Sequence, residues 1–164
     1  MSRSYFIFGE TMVYAGGSEL GLCEGPVRID PSFSYIPVHV DDFGPNVPAE
    51  KIWVLGEARI TMELIHFDQD RLTDAIRLSM GGGAGDGVMA AAGTLMGGNL
   101  QQLKIVSIPS NIPPYIFTYC HLAEQPLEIP VGTSASKVRL TWASFPWVPG
   151  NAASSANTKL WNRA

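Results

Sequence analysis

Eight residues near the middle of the chain constrain it most. In Glu57-Ala58-Arg59-Ile60-Thr61-Met62-Glu63-Leu64 the even positions are apolar and the odd positions polar. Alternate side chains of an extended strand point to opposite faces, so a period of two predicts a half-buried β-strand, one face in a core and one in water. Lys137-Val138-Arg139-Leu140-Thr141-Trp142 repeats the pattern, with Val138, Leu140 and Trp142 on one face. Further β-prone runs lie at residues 5–8, 12–14, 20–23, 33–36, 103–108 and 115–120. Gly16-Gly17-Ser18, Glu24-Gly25-Pro26 and Asp30-Pro31-Ser32 are expected to be turns between them. Residues 41–48, with two prolines and a glycine, predict a loop.

One helix interrupts the β pattern. Asp68 is placed to cap it, and Leu72, Ala75, Ile76 and Ser79 fall at i, i+3, i+4 and i+7, a single moderately apolar stripe. Asp70 in the first turn and Arg77 in the last complement the helix dipole, and Gly81 to Gly83 should stop the helix. Residues 81–98 hold eight glycines around a small apolar centre, Val88 to Ala92. A loop of that length with no structure of its own reads as an arm that orders on a neighbour, or as a surface loop. Residues 150–164 read as a linker-like tail with Leu160 and Trp161 as an anchor. The expected fold is mainly β, a sandwich or barrel with one flanking α-helix and a long Gly-rich loop, in one domain over 1–164.

Composition then narrows the role. Charged residues make up only 16% of the 164, where about 25% is usual, while the hydrophobic fraction is an ordinary 46%. Such a chain leaves neutral surface that a neighbouring subunit would cover, so self-assembly is expected. A net charge of −4 argues against a sequence-reading nucleic-acid binder, which carries a basic patch. Cys23 and Cys120 are too few for a disulfide scaffold and read as buried thiols, although they could pair. The first residues, with Arg3 as their single charge, do not read as a secretory leader, and no long apolar span is present. Synthesis and residence in a cytoplasm are expected, without a membrane span.

No catalytic kit emerges. The glycines at 81–98 follow a helix instead of a strand, and no lysine lies between Lys51 and Lys104, so neither a P-loop nor a dinucleotide fingerprint fits. His39 near Asp41 and Asp42, and His66 near Asp68 and Asp70, lack the spacing of a metal site. No Gly-x-Ser-x-Gly elbow surrounds a serine. Glu57 and Glu63 read as solvated charge, and the four tryptophans as packing residues, with Trp142 and Trp147 kept as an alternative sugar-stacking pair. No enzyme, metal or cofactor is expected.

The order of strands, the loop DDFGPNVPAE, the long amphipathic strand ARITMELIHF, the helix DQDRLTDAIRLSM and the closing VRLTWASFPW resembles tail tube subunits of tailed bacteriophages. The resemblance is one of layout across most of the chain, with no short diagnostic motif. It implies a β-sandwich or barrel that forms hexameric rings, stacked into a virion conduit for DNA ejection. It also implies contacts with other tail proteins such as sheath, terminator or baseplate, and transient passage of DNA. On that resemblance Glu57, Arg59, Thr61 and Glu63 form the candidate lumen face. Other virion roles follow the same layout: tail terminator, neck or baseplate ring, or capsid decoration protein. A β-sandwich carbohydrate-binding module is the alternative from a different class.

Overall fold

A computed structural model describes residues 10–39, 48–79, 100–108, 112–123, 137–146 and 161–163, with the side chains of 39 and 48–55 excepted. The elements run β1 (Thr11–Ala15), β2 (Ser18–Cys23), β3 (Arg28–His39), β4 (Pro48–Phe67), α1 (Gln69–Ser79), β5 (Gln101–Ser107), β6 (Tyr115–Leu122), β7 (Val138–Phe145) and β8 (Asn162–Arg163). The predicted strand at 5–8, the loop at 41–47, the Gly-rich segment at 81–98 and residues 150–160 of the tail lie outside the described residues.

Six antiparallel strands close a barrel in the order β1-β5-β6-β7-β4-β2, with β2 returning to β1. Closure removes the sheet edges that an open sheet of this size would leave bare. The alternation in the middle of the chain sets which face is inside. Ala58, Ile60, Met62 and Leu64 are buried in the barrel, as are Val138, Leu140 and Trp142 from β7. Leu103, Ile105, Phe117 and Cys120 from β5 and β6, with Val13, Leu20 and Cys23 from β1 and β2, complete the core.

The helix forms where its sequence signals place it. The Asp68 carboxylate accepts hydrogen bonds from the backbone N–H groups of Asp70 and Arg71 at 2.9 and 3.1 Å, satisfying two donors that have no partner in the first turn. Leu72 and Ala75 point into the core. At the other end the Ser79 hydroxyl donates to the Ala75 carbonyl and accepts from the Leu122 backbone N–H, both at 2.9 Å, which ties α1 to β6. Trp161 packs against Tyr115 and Phe117 at ring separations of 6.5 and 6.1 Å, so this part of the expected anchor does dock.

Two expectations change. Asp30-Pro31-Ser32 is not a turn: it lies inside the 12-residue β3, where the three residues pair with Arg59, Ala58 and Glu57. Cross-strand pairing outweighs the local turn preference. The central strand is also far longer than its alternating stretch, 20 residues from Pro48 to Phe67. Only Ala58–Leu64 pairs with β7, so residues 48–57 run beyond the barrel wall joined to β3 alone. At about 3.3 Å per residue that two-stranded ribbon extends about 30 Å.

Candidate assembly surface

The ribbon is the least satisfied part of the described fold. Every residue of β3 from Asp30 to Pro37 is exposed, so both faces of the strand meet solvent. Phe33, Tyr35 and Ile36 are 50%, 54% and 56% exposed, and Phe33 sits opposite Gly56 in the register. An isolated two-stranded ribbon is marginal in water, because it has no second layer against which to bury a face. This one keeps large apolar side chains where a free monomer would carry charge. The sequence marks 33–36 as β-prone with a turn expected at 30–32 and a loop at 41–48, and nothing in that pattern announces the projection.

Of the expected lumen residues, Arg59, Thr61 and Glu63 share the outer wall of the barrel, because the even series of β4 faces inward, and Glu57 continues the same series at the base of the ribbon. Their neighbours turn this wall into a lattice of opposite charges. Arg59 pairs with Glu57 at 3.3 Å and Arg28 with Asp30 at 2.8 Å. Lys137 is held between Glu24 and Glu63, and Glu63 lies opposite Arg139. The hydrogen bond and charge of Glu24 raise the Lys137 pKa above its usual value. Four cations and four carboxylates share this wall, so the negative balance of the whole chain does not arise here. Exposed, solvent-screened pairs of this kind are weak. They hold the cations against carboxylates and contribute little to the fold.

A second apolar feature crosses β6 and β7. Tyr119 lies opposite Phe145 and His121 opposite Ala143, all on the outer face. The His121 ring stacks on Phe145 at 5.1 Å and 30°, with its Nδ1 2.7 Å from the Leu122 carbonyl oxygen. Tyr119 and Phe145 remain 43% and 38% exposed. Nothing in the linear sequence links these three residues; only the strand register does.

The sugar-stacking pair does not survive. Trp142 is fully buried inside the barrel and offers no face to a ligand, while Trp147 lies outside the described residues. The alternation that put Trp142 beside Val138 and Leu140 already carried this signal. Cys23 and Cys120 are buried, unpaired thiols, and burial pushes the pKa of each up to about 12. Among the described residues no group of three or more His, Cys, Asp or Glu is arranged to hold a metal, and no helix is long and apolar enough to cross a membrane. No protein-family model matches this chain, and no curated protein matches its sequence.

Proposed function

We propose that the protein is a structural subunit that assembles with copies of itself into stacked rings, as the tail tube of a bacteriophage virion. The observation that carries the reading is the ribbon, with Asp30–Pro37 exposed along both faces and Phe33, Tyr35 and Ile36 among them. A monomer gains nothing from such a ribbon, whereas a neighbour that covers it recovers the lost burial at about 25 cal/mol per Å². The low charge content agrees, because surface hidden between subunits needs no solvating side chains. On this reading the role is non-enzymatic and the partners are copies of the chain and adjoining tail proteins.

The ion-paired wall of β4 and β7 suits a surface past which DNA slides. Arg28, Arg59 and Lys137 are tied to carboxylates, so each is a poorer trap for phosphate than a free cation would be. On this reading Glu57, Arg59, Thr61 and Glu63 face the lumen, and the pairing of their charges supports it. Other virion rings or a decoration protein share the same ribbon argument and differ in symmetry.

Negative-stain microscopy of the purified protein tests the reading. Six-fold hollow rings or tubes are expected. Three-fold particles would move the protein to the capsid surface, and a field of isolated monomers would remove the structural role.

A further inference from the structure

We propose that the ribbon of one copy seats on the shelf of Tyr119, His121 and Phe145 in the next copy. The proposal rests on the self-assembly reading and names the contact that would carry it.

Six large apolar side chains stand exposed among the described residues. Phe33, Tyr35 and Ile36 belong to the ribbon, Tyr119 and Phe145 to the shelf, and Ile108 to neither. Phe145 follows directly after the Ala58–Ser144 pair, at the rim where β4 parts from β7 and becomes the ribbon. Both features therefore belong to one end of the barrel, yet each stays exposed, so the ribbon of a chain does not cover its own shelf. The shelf and β3 between Pro31 and Val38 carry no formal charge, so these aromatic rings can meet without desolvating an ion of their own.

The mode of docking follows from the prolines. Pro31 and Pro37 each lack a backbone donor, which makes β3 a poor template for an added strand. The ribbon therefore docks by side chains, face on. Its two strands are about 10 Å wide, so one face presents about 300 Å². A single contact then buries about 600 Å² over both partners, short of the roughly 1,000 Å² that a stable pair requires. Ribbon and shelf are different surfaces, so the contact runs head to tail, and every copy in a closed ring makes it twice. A lone dimer should be scarce, and assembly should rise steeply with concentration.

Disulfide trapping tests the contact. Single Phe33→Cys and Phe145→Cys variants are mixed in equal amounts and oxidised; Tyr35→Cys with Tyr119→Cys forms an independent second pair. All four sites are exposed, so the core is untouched, and the native thiols are buried with their pKa near 12 and do not compete. The proposal expects crosslinked dimers in the mixtures at several-fold the yield of either variant alone. Stronger linkage of Phe33→Cys to itself would show ribbon against ribbon and overturn the proposal. Rings that form in the microscope without crosslinks in either mixture would overturn the contact and leave the structural role standing. Monomers without crosslinks would overturn both.

Discussion

At the scale of single residues, the barrel depends on a glycine. Gly21 sits where β2 meets β4, the seam that closes the cylinder. A Cβ added there would run into the His66 carbonyl oxygen and lie 2.8 Å from the Phe67 Cα, both backbone atoms that cannot rotate away. Gly21→Ala should therefore lower stability by about 1–3 kcal/mol, the usual cost of overpacking, with the seam opening first. Urea denaturation measures it; an unchanged midpoint would mean that the seam has slack. The thiols make a second residue-scale prediction. An unfolded cysteine loses its proton near pH 9.0, while Cys23 and Cys120 hold theirs to about 12. Between those values the folded state binds more protons than the unfolded one, so stability falls as pH rises. Each thiol contributes about 1.4 kcal/mol of loss per pH unit. Cys120→Ala should flatten the slope of unfolding free energy against pH between 9 and 11. Equal slopes in variant and wild type would contradict the account.

At the scale of elements, the sequence was legible wherever an element has one buried face. Residues 57–64 alternate because β4 has a core side there, and the pattern alone assigns Ala58, Ile60, Met62 and Leu64 inward, where they are buried. The helix was legible for the same reason, with Asp68 as cap and Leu72 and Ala75 on the core side. The ribbon was not, since β3 is exposed from Asp30 to Pro37 on both faces and has no reason to alternate there. Residues 48–56 show no period, and the Asp30-Pro31-Ser32 turn signal went unopposed until the partner strand was known. The shelf was illegible for another reason: Tyr119, His121 and Phe145 meet through register across β6 and β7. If the ribbon is an assembly element, Phe33→Glu with Tyr35→Glu should leave stability nearly unchanged, because neither side chain belongs to the core. The same double variant should abolish oligomers. Circular dichroism and light scattering separate the two effects, and a variant that still assembles would contradict this role for the ribbon.

At the scale of the whole molecule, the barrel is complete and the ribbon is not. The six strands close on a shared core, while β3 keeps Phe33, Tyr35 and Ile36 in water. That division suits a rigid unit that is made folded and then joined to others. The charged outer wall around Arg59 and Glu63 keeps one side of each unit wet, so copies would associate through the ribbon and leave this wall facing solvent or a lumen. Sedimentation velocity across a hundredfold range of concentration tests the claim of self-assembly most directly. The account predicts a species far heavier than 17.7 kDa that grows with concentration at the expense of monomer, with little dimer between. A single boundary at 17.7 kDa throughout the range would contradict it.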